Sequence, residues 1–214
     1  MLRSLVGSEM CIRDRCLTNY DMEVNKKMSI DVYEQIPVME NEKFLLREIE
    51  DGDAEHLLKV YSDKNAVPLF NSDNCVNGFY YTTMEEMKDT IAFWKREYQN
   101  RYYVRWAIID KNDNCAIGTI ELFNRKAKDY FNNCGLLRLD LRSDYEKQDI
   151  IEDILGLIIP ETRDMFACEM IATKAISIAK ERIKALEHKG FCLSEESVIG
   201  HDGTKYNSYY FREV

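Results

Sequence analysis

No apolar run in this chain is long enough to cross a membrane: the longest, Ile154 to Ile159, contains Gly156 and stops at Pro160, where a spanning helix needs about 20 apolar residues. Nothing near the N-terminus has the apolar centre of a secretory signal. Basic residues are in deficit, 29 Lys plus Arg against 38 Asp plus Glu, for a formal charge of −9. Nucleic acid and anionic membranes are therefore not expected partners, because both recruit clustered Lys and Arg. The seven cysteines and three histidines include no Cys-x-x-Cys and no His at metal-ligand spacing. No metal site is expected, and the cysteines read as unpaired thiols in a reducing cytoplasm. His56, His188 and His201 are isolated, and a helix surface, a helix end and a hairpin tip account for them. Internal repeats and low-complexity tracts are absent as well.

What is present is ordinary globular composition, 45% hydrophobic and 31% charged over 214 residues, which argues against disorder. A chain of this length fits one domain and hides roughly 70% of its extended surface on folding. Residues Leu5 to Arg15 read as an in-frame translation of a transposase adapter used in preparing sequencing libraries. Residues 1–27 are on that ground set aside as non-native, with Met22 or Met28 as the expected natural start and a single domain over 28–214.

Within that domain Lys43 to Ile49 reads as a strand, and Asp53 is placed to cap a helix carrying Leu57, Leu58 and Tyr61. Thr82 or Thr83 opens a second helix, whose Met84, Met87, Ile91 and Trp94 mark one buried face. Strands follow at Tyr102 to Ile109 and Cys115 to Phe123 about the turn Lys111–Asn114, and a third at Gly135 to Leu141. Ile150, Ile151, Ile154, Leu155 and Ile158 give a helix, with Pro160 to Phe166 as a further turn. A strand at Met170 to Ala175, a helix at Ile178 to Lys189, and strands at Phe191 to Leu193 and Lys205 to Arg212 around the Asp202-Gly203 turn close the chain. The order predicts a mixed α/β (α+β) domain with a largely antiparallel central sheet flanked by helices.

Chemistry concentrates between Cys134 and Leu155, where a strand passes through a charged loop into a helix; such a helix start can hold an anion. From Asp144 to Asp153 five acids face Lys147 alone. Asp149 to Glu152 also has the form of a capping box, which would use the same amides for the helix itself. Both readings stand on the sequence. The aromatic group from Phe79 to Trp106 serves equally as core or as the wall of a small-ligand pocket.

The segments Arg47 to Ala54, Ala116 to Ile120 and Lys189-Gly190-Phe191, taken in order with the strand-loop-helix at 134–155, resemble the GNAT superfamily of N-acetyltransferases, in particular the ribosomal-protein type, over roughly Lys43 to Val214. The resemblance implies acetyl-CoA as co-substrate and an amine, on a small molecule or a peptide, as acceptor. It implies that strand splaying near Leu139 to Leu141 frees a backbone N–H for the thioester. The loop and helix start Arg142, Lys147, Gln148, Asp149, Ile150 and Ile151 would wrap the pyrophosphate, with Arg182 among the cations that could reach its phosphates from the last helix. Lys147, Asp149 and Ile151 stand where the family has glycines, Ala179 where it often has Asn, and Leu186 where it often has the acidic Tyr. With that acid displaced, Glu121 and Asp140 are the candidate bases and Tyr209 the candidate acid, Tyr210 pointing to the other face. For both carboxylates the plainer expectation is a solvent-facing strand position. The activity implied is acetyl transfer from acetyl-CoA to an amine; the alternative is a GNAT-fold binding or sensing module that no longer turns over.

Overall fold

The computed structural model describes residues 31–75 and 78–214, so the expected non-native segment and both candidate start methionines lie outside the described residues. Among the described residues, ten strands and five α-helices follow in chain order: β1 Met39–Glu40, β2 Phe44–Glu48, α1 Ala54–Tyr61, α2 Met84–Gln99, β3 Val104–Asp110, β4 Cys115–Arg125, β5 Cys134–Leu141, α3 Gln148–Ile158, α4 Thr162–Phe166, β6 Met170–Lys174, α5 Lys180–His188, β7 Cys192–Leu193, β8 Val198–Ile199, β9 Lys205–Tyr206 and β10 Tyr209–Glu213. The main sheet has eight strands in the order β1-β2-β3-β4-β5-β6-β10-β7, and β8 and β9 form a separate hairpin. Among the main-sheet neighbours, β5 and β6 run parallel and the other pairs antiparallel. The mixed α/β expectation holds.

Period-two alternation divides the sheet between two cores. Val104, Trp106 and Ile108 of β3, with Leu137, Leu139 and Leu141 of β5, pack against Ile151, Ile154, Leu155 and Ile158 of α3 and Ala185 and Leu186 of α5. Ala107 and Ile109 of β3 face the other way, onto Leu57, Val60 and Tyr61 of α1 and Met87, Ile91 and Trp94 of α2. The described segment ahead of β2 is packed too: Val32 is buried, its carbonyl accepts from the Tyr98 hydroxyl at 3.0 Å, and Trp106 Nε1 donates to the Pro37 carbonyl at 2.8 Å.

Helix α2 starts as expected, with Thr83 and Glu86 exchanging side-chain and backbone hydrogen bonds. Two capping expectations are corrected. Asp53 stands at the N-cap of α1 without capping it; its carboxylate instead accepts from the Glu50 N–H and from the Arg47 guanidinium. Helix α3 starts two residues earlier than an Asp149 cap requires, with Lys147 as N-cap and no side-chain cap bond. Glu152 is engaged elsewhere, accepting from Gln148 Nε2 and pairing with His188, each at 2.8 Å. The expected strand at Lys205 to Arg212 divides into β9 and β10, because Ser208 takes a left-handed conformation, φ 67°. The Asp202-Gly203 turn joins β8 to β9, and β10 pairs with β6 and β7. Gly190, φ +81°, ends α5 by a turn that L side chains resist, which gives the Lys189-Gly190-Phe191 motif its physical basis.

Candidate active site

Strands β5 and β6 pair from Cys134↔Met170 to Leu137↔Thr173 and then separate. From Arg138 to Leu141 the edge of β5 that faces β6 has no strand partner, while its other edge stays paired to β4. This is the V-shaped opening that the Leu139 and Leu141 expectation requires, and it offers backbone groups only: both side chains are buried in the α3 core. The opening leads to the start of α3, whose first amides have no side-chain cap. The dipole and free N–H groups of such a terminus favour an anion.

The substitutions at the expected glycine positions obstruct this less than their bulk suggests. Ile151 is wholly in the core, and Lys147 and Asp149 are exposed. Ile150 is half-buried against the same core. Gln148 bonds Glu152, and the Glu181 carboxylate, held below its ordinary range chiefly by Lys184, also draws weakly on the Gln148 N–H. The acidity of the loop is offset by Arg142 at its start and by two cations from outside it. Arg142 grips Asp144 with two bonds of 2.6 and 2.9 Å, Lys43 meets Asp153 at 2.8 Å, and Arg182 grips Glu146. The residues present thus fit a nucleotide pyrophosphate through backbone amides, with two competing contacts, Glu181 on the Gln148 N–H and Glu146 on Arg182.

On the opposite face of the sheet, strand register assembles a buried polar row. Arg105 lies opposite Glu121, which lies opposite Arg138; Thr119 lies opposite Asp140. Glu121 is 1% exposed and paired with Arg105 and with Arg138 Nη1, the latter at 3.0 Å. Burial opposes its ionisation, but the two arginines outweigh burial and hold its carboxyl below the usual range. Asp140 is the reverse case. Burial pushes its carboxyl up, and Arg105 at 3.2 Å together with the Tyr61 hydroxyl at 2.8 Å only partly offsets it. Its Oδ1 is buried without a donor. Neither carboxylate faces solvent as the plainer expectation held. Gly118 makes the row possible: a Cβ there would stand 2.1 Å from the Asp140 carbonyl oxygen.

The row continues through Arg138, which donates to the Asp73 carbonyl at 2.9 Å, to a second cluster. Tyr209 donates to Asp73 Oδ2 at 2.9 Å and accepts from Asn71 at 3.2 Å, and Lys174 meets Asp73 Oδ1 at 2.6 Å. Burial and the Asp73 carboxylate raise the Tyr209 hydroxyl well above its ordinary pKa. Tyr210 packs into the α3 core, so the two tyrosines do face opposite ways. Glu121, Asp140 and Tyr209 thus belong to one chain of hydrogen bonds and ion pairs. Tyr61, Thr119, Arg105, Arg138 and Asp73 complete it; sequence reasoning missed them, and the one available signal was alternation in β3 to β5, which puts polar residues on an otherwise apolar face. The expected aromatic group divides. Phe79, Tyr81 and Trp94 pack around Tyr61, Arg105 lies 4.5 Å over the Trp94 ring, Trp106 joins the other core, and Tyr80, Phe93 and Tyr102 are exposed.

A mixed sheet opened between two parallel strands, with a helix start that its N-cap side chain leaves unbonded at the opening, is the arrangement of the GNAT fold. The acetyltransferase (GNAT) domain family matches residues 43–191, more than half of the chain, and the protein belongs to that family, whose members use acetyl-CoA as co-substrate. Among solved structures it is similar to the ribosomal-protein-S5-alanine acetyltransferase from Vibrio fischeri, at 17% identity and TM-score 0.61 over 83% of this chain and 96% of that one. It is similar also to a Salmonella typhimurium acetyl transferase that modifies the N-terminal serine of ribosomal protein L7/L12, at 15% identity and TM-score 0.60 over 83% and 99%. A third, the microcin C7 self-immunity acetyltransferase in complex with acetyl-CoA and AMP, gives 18% identity and TM-score 0.59 over 81% and 94%. At these identities the likeness establishes the fold. No curated protein matches the sequence. Among the described residues no group of side chains could hold a metal ion, and no helix is long and apolar enough to cross a membrane.

Proposed function

We propose that this protein moves an acetyl group from acetyl-CoA to a primary amine by direct attack. The observation that carries the reading is the parting of β5 and β6 after Leu137 and Thr173 beside the uncapped start of α3. Backbone N–H groups of Leu139 and Leu141 would orient the thioester, and the amides of Gln148, Asp149 and Ile150, with Arg142 and Lys147 nearby, would hold the pyrophosphate. The C–N bond forms as the C–S bond breaks, so one group must take the ammonium proton and another must protonate the thiolate. Asp140, raised by burial and with one oxygen lacking a donor, is the better base. Glu121 is fixed between two arginines and positions them. Tyr209 is the proposed acid, since Leu186, where the family often has the acidic Tyr, has no proton to give.

The amine acceptors of the two ribosomal-protein acetyltransferases above make a peptide N-terminus the first acceptor to try, and the reading keeps the protein cytoplasmic. The second reading, a GNAT-fold binding or sensing module without turnover, draws on the Glu146–Arg182 contact and on the loss of the usual acid. Thermal unfolding with millimolar acetyl-CoA tests the cofactor site that the transferase reading needs: a ligand at 100 times its dissociation constant adds about 2.7 kcal/mol. Release of free thiol with peptide, lysine and small-molecule amines then separates transferase from module. An unchanged midpoint at millimolar acetyl-CoA defeats the transferase reading.

A further inference from the structure

Glu146 and Arg182 form an ion pair unlike those on the surface, with side chains only 8% and 2% exposed. Glu146 lies in the loop that follows β5, and Arg182 lies on α5, which follows β6. Because β5 and β6 stop pairing at Leu137 and Thr173, these residues reach toward each other from the continuations of two strands that have parted. The Arg182 guanidinium gives Nε and Nη2 to Glu146, and Nη1 to the Leu69 carbonyl at 3.0 Å. One side chain therefore joins the loop ahead of α3, the start of α5 and the segment between α1 and α2. Nothing in the packing of α3 on α5 requires a charge there, since that contact is made by Ile151, Ile154, Ala185 and Leu186. A guanidinium fork accepts a carboxylate or a phosphate with the same geometry.

We propose that Glu146 is a built-in competitor for acetyl-CoA: its carboxylate occupies the Arg182 fork that the cofactor's diphosphate takes, and the 142–147 loop must release Arg182 before the opening between β5 and β6 admits the ligand. This rests on reading that opening as the acetyl-CoA site. The apparent affinity is then the intrinsic affinity reduced by the fraction of molecules with the pair broken. Mutating Glu146 raises that fraction, and mutating Arg182 as well removes the group that would exploit it.

The test is titration calorimetry of the full chain with acetyl-CoA for the parent protein, Glu146→Gln, and the double variant Glu146→Gln with Arg182→Gln, alongside stopped-flow association rates. Glu146→Gln is expected to bind about tenfold more tightly or better, through faster association, and to unfold at a lower temperature without ligand; the double variant is expected to lose the gain. Equal or weaker binding by Glu146→Gln, with the parent still binding, overturns the competitor role and leaves the acetyl-CoA site standing. A double variant as tight as the single overturns the exchange at Arg182. No binding by either parent or single variant overturns both this inference and the reading of the site. If Glu146→Gln does not fold, Glu146→Asp, which keeps the charge and shortens its reach, replaces it with the same expected direction and the same contradicting results.

Discussion

Two buried carboxylates one strand apart are held in opposite protonation preferences, and that difference is testable without any substrate. Asp140 has a folded pKa raised from 3.8, so its favourable contribution is present below pH 3.8 and is lost as pH rises through the folded value. Glu121 has a folded pKa lowered from 4.5, so its contribution is present above pH 4.5 and is lost as pH falls through the folded value. Relative to the parent, Asp140→Asn should therefore become progressively less destabilising, or stabilising, as pH rises through the Asp140 titration, while Glu121→Gln should be worst at neutral pH, costing about 3 kcal/mol. Urea unfolding across pH 3 to 8 reads both slopes, and parallel curves for the two variants contradict the assignment. If Asp140 is also the base, Asp140→Asn lowers turnover by about 100-fold or more. The types of these residues were legible in the sequence, and the strand positions of both suggested solvent. What fixed their burial, the register that sets Arg105, Glu121 and Arg138 in one row, is a property of three strands together.

Elements were legible where their signals are local. The Thr83–Glu86 box and the three- and four-residue spacing of Met87, Ile91 and Trp94 describe α2 as it stands. The start of α3 was less legible, since the Glu152 that would complete a box with Asp149 is claimed by Gln148 and by His188 from α5. The same limit hid the role of Gly118, which belongs to a weak motif in β4 and matters because the β5 backbone comes so close. Gly118→Ala must push apart β4 and β5 against backbone rather than a flexible side chain. It should lower the thermal midpoint and weaken acetyl-CoA binding together, whereas Gly52→Ala, with open space around it, should leave the binding unchanged. Equal effects from the two substitutions would show that the β4–β5 approach has no bearing on the site.

At the scale of the molecule the acidic loop changes meaning. Counted along the chain, Asp144 to Asp153 repels an anion; folded, it meets Lys43 and Arg182 from two distant places in the sequence, along with the adjoining Arg142. The fold class was open to reading because alternation and helical spacing are local, while the electrostatics of the opening depend on contacts between distant segments. The first amides of α3 and the unpaired edge of β5 are proposed to grip acetyl-CoA. Titrating acetyl-CoA into the ¹⁵N-labelled protein tests this grip directly by following each backbone amide. Saturable shifts centred on Gln148, Asp149 and Ile150 and on Leu139 and Leu141 are predicted; shifts confined to other surfaces, or none at millimolar ligand, would contradict it.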